Sequence, residues 1–160
     1  MIAFFGQVGA GKTTICEILS QRTFIEEYNA TPMINKYSPI SIGGQLIQFW
    51  DTAGSYDEQN RNVKRELATD DTLVYVLNMK DYMGDKKEEL TREIRSYVKG
   101  GGNKIIGTHK DKMSWYRKYG ANMANEIRQT FNVDCEIWDL TRAKTKAEEV
   151  QSELLDFILK

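Results

Sequence analysis

Residues 6–13 read Gly-Gln-Val-Gly-Ala-Gly-Lys-Thr, a full match to the pattern GxxxxGK[ST]. The apolar run Ile2–Phe5 before this stretch predicts a buried strand, and the helical spacing of Ile15, Ile18 and Leu19 predicts a helix after it. A glycine-rich loop in that position lets backbone N–H groups converge on phosphate oxygens at a helix N-terminus. The stretch therefore predicts a phosphate-binding loop. A glycine-rich turn with a chance lysine is the alternative, and the motif does not separate ATPases, kinases and GTPases.

Two side chains of this loop have predicted roles. Lys12 would reach the terminal phosphates of a nucleotide, and the Thr13 hydroxyl would ligate Mg²⁺. The residues of this segment that we expect to contact the nucleotide are Gly6, Val8, Gly9, Ala10, Gly11, Lys12, Thr13 and Thr14.

Short apolar runs alternate with amphipathic segments along the rest of the chain. This alternation predicts an α/β fold with a mostly parallel six-stranded sheet, one antiparallel edge strand, and helices on both faces. The sequence 40–50, with Gly43-Gly44 between two apolar runs, predicts the hairpin that supplies the antiparallel strand. The polar, proline-bearing stretch 23–39 predicts a long loop. Ligands of such folds bind outside the carboxyl ends of the strands, so the loops at those ends are the candidate sites.

One such loop follows the apolar strand that ends at Phe49-Trp50-Asp51. Asp51 at that position could hold a Mg²⁺-bound water, and the N–H of Gly54 could approach the γ-phosphate closely. An ordinary strand-ending aspartate followed by a turn is the alternative.

Two further loops would read the base. In Thr108-His109-Lys110-Asp111, the Asp111 carboxylate can accept hydrogen bonds from the N1–H and 2-amino groups of guanine, which adenine cannot satisfy. The later stretch Thr141-Arg142-Ala143-Lys144 would present a backbone N–H to the guanine O6.

Taken together, the loops resemble those of the small GTPases of the Ras superfamily over essentially the whole chain. GQVGAGKTT resembles the phosphate loop, DTAG the switch II motif, THKD the base-reading NKxD motif, and TRAK the SAK-type motif. The resemblance implies one P-loop NTPase G domain over residues 1–160 that binds GTP and GDP with Mg²⁺, hydrolyses GTP, and switches two loops. It also implies effector, exchange-factor and GTPase-activating proteins as partners.

The resemblance adds two residues to the predicted site. Thr31 lies 18 residues after Thr13, where the family places a threonine on Mg²⁺ and the γ-phosphate. Phe24 falls where the family has an aromatic ring against the guanine edge, and a core residue that closes the first helix is the alternative. Through the resemblance, the groups implied in catalysis are Lys12, Thr31, Gly54, Ser55 and Gln59.

The chain also departs from the family pattern. Ser55 replaces the glutamine that orients the attacking water, and Gln59 lies four residues later. Val8 occupies a position where a side chain crowds the γ-phosphate, and THKD has Thr108 and His109 in place of asparagine and lysine. We therefore expect slow intrinsic hydrolysis. A hydrolysis-poor GTP-binding scaffold, or one half of a G-domain pair, is the main rival, and a P-loop ATPase or small-molecule kinase is the other.

Composition narrows the partners. Twenty-two Lys and Arg against 23 Asp and Glu leave a net charge of -1, which provides no basic field for nucleic acid or anionic lipid. Cys16 and Cys135 lack the spacing of a disulfide framework or a metal site, which favours a reducing, cytoplasmic compartment. We also expect no intrinsic membrane anchor, recruitment to any membrane through a partner, and a monomer or a G-domain heterodimer.

Overall fold

The computed structural model describes residues 1–7, 9–20, 24–25, 34–52, 71–109 and 116–160. The strands are β1 (Ile2–Phe5), β2 (Phe24–Ile25), β3 (Ile34–Tyr37), β4 (Ile40–Ile42), β5 (Gln45–Ile47), β6 (Phe49–Thr52), β7 (Thr72–Asn78), β8 (Lys104–Thr108) and β9 (Asp134–Ile137). The helices are α1 (Lys12–Ser20), α2 (Met79–Tyr82), α3 (Lys87–Lys99), α4 (Tyr116–Phe131) and α5 (Ala143–Leu159), and a 3₁₀ turn at Leu140–Arg142 precedes α5.

The main sheet has the strand order β2-β3-β6-β1-β7-β8-β9. The ladders β6–β1, β1–β7, β7–β8 and β8–β9 are parallel, whereas β3 pairs antiparallel with β6. This confirms the predicted α/β fold class. The two-residue strand β2 adds a seventh strand at the edge, beyond the six that the sequence predicts.

The prediction of one long loop over residues 23–39 is wrong, because β2 and β3 both lie within that stretch. The predicted hairpin exists as the separate two-stranded ribbon β4–β5, with Gly43 and Gly44 at φ 58° and 81° in its turn. Two consecutive positive φ values are what a tight two-residue hairpin turn requires. The antiparallel strand of the main sheet is therefore β3 and not the ribbon.

A bulge separates the ribbon from β3 and β6. Lys36 pairs with Trp50 and Ile40 pairs with Ile47, so four steps along one strand match three steps along the other. Pro39 lies in the longer segment, and a proline, which has no N–H to donate, fits a bulge better than a regular ladder. The bulge ends the main-sheet pairing.

Alternate residues of the central strands feed two cores, one on each face of the sheet. Ala3 and Phe5 of β1 belong to the core that contains Ile94 of α3 and Ile127 of α4. Ile2 and Phe4 belong to the opposite core, whose helical members are Ile15, Leu19, Val150 and Leu154 of α1 and α5. Helices thus cover both faces, as the sequence predicts, and the carboxyl ends of β1, β6 and β8 remain for a ligand. Among the described helices, none is long and apolar enough to cross a bilayer.

Candidate functional site

The phosphate loop connects β1 with α1, and its first glycine fits tightly against the sheet. Gly6 has φ 144°, and a Cβ at this position would lie 2.3 Å from the carbonyl oxygen of Val76. No side chain can be placed there without moving the backbone of β7. The start of the loop is therefore fixed against the central strand.

Lys12 is buried at the base of this loop, with 7% of the residue exposed. Its Nζ donates to the carbonyl oxygen of Gly6 and, at 3.1 Å, to that of Gln7. Burial lowers the pKa of Lys12, and the negative charges of Asp51 and Glu93 partly offset that effect. The Lys12 ammonium is largely dehydrated, and nearby carboxylates neutralise its positive charge only in part. It therefore attracts an anion such as a phosphate group strongly.

Thr13 and Asp51 form the next part of the site. The Thr13 Oγ1 donates to Asp51 Oδ2 at 2.6 Å, which joins the first turn of α1 to the end of β6. Burial raises the pKa of Asp51, while the hydrogen bond from Thr13 and the charge of Lys12 lower it. A hydroxyl and a carboxylate are hard oxygen donors of the kind that Mg²⁺ prefers, so this pair fits the predicted metal.

The protein supplies few ligands of its own for a metal. Within the described ranges, no group of three or more His, Cys, Asp and Glu side chains could hold an ion. Mg²⁺ usually keeps several waters and takes one or two protein oxygens together with substrate phosphates. The Thr13–Asp51 pair suits a cation that arrives with a nucleotide.

Thr108, at the end of β8, joins this strand to the phosphate loop, directly before the segment that the sequence predicts to bind the base. Its hydroxyl donates to the carbonyl oxygen of Ala10 at 2.5 Å and lies 3.3 Å from that of Leu77. His109 follows with φ 63°, and its Nδ1 lies 2.9 Å from the same hydroxyl. When Nδ1 carries the proton, the imidazole can donate to Thr108. Thr108 is therefore a structural link as well as a lining residue.

The three residues of the stretch 142–144 have different surroundings in the structure. Ala143 and Lys144 line the cleft, whereas the Arg142 guanidinium binds Glu153 at 2.9 Å and lies 3.6 Å from Glu149. The Ala143 N–H contacts the carbonyl oxygens of Leu140 and Thr141. The predicted contact between this stretch and a guanine O6 stays a prediction.

These parts surround one cleft of about 1060 Å³ at the carboxyl ends of the strands. The predicted site residues that line it are Gly9, Ala10, Gly11, Lys12, Thr13, Thr14, Asp51, Thr108, His109, Ala143 and Lys144. The predictions for Val8, Thr31, Gly54, Ser55, Gln59, Lys110 and Asp111 lie outside the described residues. Phe24 is described only as part of the backbone of β2.

The cleft also has lining residues that the sequence reasoning missed. Asn35 of β3 lies opposite Asp51 in the register and lines the cleft beside it. Glu17 of α1 and Glu148 of α5 line the part between those helices. No motif marks these positions. The helical spacing of α1 and α5 could have found the two glutamates only if the packing of the helices had been known.

Comparisons with known proteins agree with this geometry. Residues 1–110 match the 50S ribosome-binding GTPase family. The FeoB G-domain from Methanococcus jannaschii superposes with a TM-score of 0.58 at 14% identity, covering 99% of this chain and 97% of that one. Nucleolar GTP-binding protein 1 from Plasmodium falciparum superposes with a TM-score of 0.62 at 14% identity, covering 97% and 90%.

The cytosolic domain of FeoB from T. maritima, in its GMPPNP form, has a TM-score of 0.60 at 12% identity, covering 99% of this chain and 64% of that one. At these identities the likeness shows the fold alone. No curated protein matches the chain significantly.

The matched family spans β1 through the end of β8, and thus the phosphate loop, Asp51 and Thr108. Family membership indicates GTP binding and hydrolysis. The matched family is not a Ras family, so the finer resemblance to Ras proteins stays a prediction. The chain belongs to the 50S ribosome-binding GTPase family.

Proposed function

We propose that this chain binds GTP and GDP with Mg²⁺ in the cleft, hydrolyses GTP slowly, and acts as a molecular switch. The observation that supports the proposal best is the convergence of Lys12, the Thr13–Asp51 pair and Thr108 on one cleft. These groups come from α1, β6 and β8, which are distant in the sequence and meet at one cleft in the fold. The proposal treats residues 1–160 as one G domain.

The phosphates would bind where Lys12 and the amides of Gly9 and Gly11 meet. The ammonium now contacts two loop carbonyls, and phosphate oxygens are stronger acceptors because they carry charge. Thr13 would hold Mg²⁺ directly and Asp51 would hold it through water. The metal ion, when bound, neutralises phosphate charge, which is the main requirement of phosphoryl transfer.

Asp111 would determine the base through its two hydrogen bonds to guanine, with Phe24, His109, Lys110 and Lys144 around the ring. The described part of this end supports the arrangement, because Thr108 and His109 lie on the cleft directly before that loop. The aliphatic part of the Lys144 side chain would cover the face of the guanine ring opposite His109. The base specificity follows from a polar match that adenine lacks.

Hydrolysis would be slow because Ser55 is too short to orient an in-line water and the side chain of Val8 would crowd the γ-phosphate. The same two residues favour the rival hypothesis, in which the protein holds GTP as a scaffold or as one half of a G-domain pair. A single-turnover hydrolysis assay separates the slow switch from the scaffold, since a scaffold keeps its GTP intact.

The γ-phosphate would order the loops around Thr31 and Gly54, and its loss would release them. A protein that reads this ordering is the proposed effector. Exchange factors and GTPase-activating proteins are the further proposed partners. A slow switch requires them because GDP release and GTP hydrolysis both need acceleration.

Mass spectrometry of the nucleotide that co-purifies with the protein tests the assignment. We expect GDP or GTP, and about 10⁴-fold weaker binding of ATP in a fluorescence titration. Lys12→Ala should abolish tight nucleotide binding, and Thr13→Ala should remove the Mg²⁺ dependence of that binding. Lys99→Ala, which removes an exposed lysine, is the matched control for Lys12→Ala. Asp111→Asn should shift the preference towards xanthosine nucleotides. Equal affinity of the unmutated protein for ATP and GTP would overturn the guanine assignment.

A further inference from the structure

The side chain of Gln7, inside the phosphate loop, is held by two carboxylates from a distant part of the chain. Its Nε2 donates to Glu89 Oε1 at 3.1 Å and to Glu93 Oε2 at 3.0 Å. Both glutamates lie one helical turn apart on α3, more than 80 residues along the chain from Gln7. The contact therefore fixes the phosphate loop to a helix that contributes nothing to the cleft lining in the described residues.

The two carboxylates differ in burial. Glu89 is exposed, whereas Glu93 is only 7% exposed. After burial itself, the negative charge of Glu93 is the next cause that raises the pKa of Tyr75 on β7. A buried carboxylate holds its hydrogen-bond partners more strongly than an exposed one, because little water competes. Glu93 is therefore the stronger of the two anchors.

Gln7 is bound at its main chain as well as at its side chain. Its carbonyl oxygen accepts the hydrogen bond from Lys12 Nζ at 3.1 Å. Glu93 also favours the charged form of Lys12 through its own negative charge. A continuous chain of contacts thus runs from α3 through Gln7 to the ammonium of the phosphate loop.

We propose that Glu93 is a positioning residue for nucleotide binding, acting through Gln7 on the shape of the phosphate loop. With Gln7 anchored, the loop keeps one conformation before a nucleotide arrives, with Lys12 lining the cleft and the Ala10 N–H bonded to the Gln7 carbonyl. A preorganised loop loses less conformational entropy on binding, so the nucleotide binds more tightly and leaves more slowly. This inference rests on the proposed nucleotide-binding function.

The release rate of a fluorescent GDP analogue, chased with excess GDP, measures the effect. Removing hydrogen bonds to a charged group should speed release about tenfold in Gln7→Ala and in Glu93→Ala. Glu93→Gln keeps an oxygen acceptor for Gln7 and should restore most of the slow release. Glu88→Ala removes an exposed carboxylate from the same helix and should leave the rate unchanged.

The decisive variant combines Gln7→Ala with Glu93→Ala. If Glu93 acts through Gln7, the double variant releases the analogue no faster than Gln7→Ala alone, because Gln7→Ala already removes the contacts to both glutamates. Additive effects would show that Glu93 acts by a route other than Gln7, such as its charge on Lys12 or packing in the core, and would overturn the inference, as would unchanged release in the single variants. Gln7→Ala and Glu93→Gln keep the test open if Glu93→Ala does not fold.

The outcomes also separate this inference from the proposed function. If the unmutated protein does not bind the GDP analogue, the proposed function fails. If it binds the analogue and loses it on Lys12→Ala, while the Gln7 and Glu93 variants behave like the unmutated protein, only the positioning role fails.

Discussion

Lys12 and Asp51 are charged side chains held almost entirely out of water, with 7% and 5% exposed. Burial is the largest influence on the pKa of each, and in each it disfavours the charged form. Such groups cost stability in the free protein and are useful only when a ligand of opposite charge, or a cation shared with it, arrives. The buried charges at the bottom of the cleft thus favour ligand binding and lower the stability of the free protein.

Asp51→Asn should therefore stabilise the nucleotide-free protein while weakening its Mg²⁺-dependent nucleotide binding. We expect a gain of about 1 kcal/mol in the free energy of unfolding, measured by denaturant titration. Loss of a water-mediated metal contact should lower the Mg²⁺-dependent affinity by roughly 10- to 100-fold. A variant that binds as tightly as the unmutated protein would show that Asp51 is not near the metal.

The stability gain should depend on pH. The pKa of Asp51 is raised above its ordinary value of 3.8, so the folded protein holds this proton more tightly than the unfolded chain. The cost of the buried charge is then absent below that value and complete above the raised folded pKa. Asp51→Asn should stabilise most at neutral pH, and the advantage should disappear as the pH falls towards 4.

Thr108→Val removes the hydroxyl that joins the base-reading loop to Ala10 while keeping the shape of the side chain. Leaving the Ala10 carbonyl without this donor should weaken GDP binding about tenfold. Thr108→Ser keeps the hydroxyl and should bind almost as the unmutated protein does, by isothermal titration. Unchanged binding in Thr108→Val together with weaker binding in Thr108→Ser would contradict the role of the hydroxyl and point to packing of the methyl group.

At the scale of elements, Lys104 at the start of β8 holds the end of α5. Its buried Nζ donates to the Phe157 carbonyl at 2.8 Å and lies 5.1 Å from the centre of the Phe157 ring. A cation at a helix C-terminus is stabilised by the partial negative charge of the unpaired carbonyls. This contact lies at the opposite end of β8 from Thr108.

Lys104→Met should thus lower the free energy of unfolding by about 1–2 kcal/mol through the loss of charged hydrogen bonds. Because the change is far from the cleft, GDP affinity should stay the same. The exposed Lys99→Met is the control for removing one positive charge. Thermal unfolding gives the stability, and a large fall in GDP affinity would contradict the separation of the two ends.

Sequence reasoning found the elements whose signals are local. The apolar run Ile2–Phe5 predicted β1, and the spacing of Ile15, Ile18 and Leu19 predicted α1; the structure confirms both. It missed β3, because Ile34–Tyr37 has two polar residues among four and its pairing with β6 depends on a distant strand. The phosphate loop was found from its motif, whereas Glu93 was not, since only the folded chain brings it to Gln7.

For the whole molecule, intrinsic hydrolysis should be slow. Without a side chain that orients water, a loss of roughly 10² to 10³ in rate is expected, which corresponds to about 3–4 kcal/mol of barrier. Ser55→Gln should raise the single-turnover rate unless Val8 blocks the new side chain. Ser55→Gln is therefore tested with and without Val8→Gly. Fast turnover by the unmutated protein would place the catalytic group elsewhere, and Gln59→Ala would then identify it.

The hydrogen bond from Thr108 to Ala10 spans the carboxyl ends of β8 and β1, with β7 between them in the sheet. A nucleotide that contacts both loops is held in the manner of a chelate. Once one end has docked, the other group remains at a high local concentration beside a partner that is already in place. Under the proposed function, the base and the phosphates would therefore be recognised together, and neither fragment alone would make all the contacts that the cleft offers.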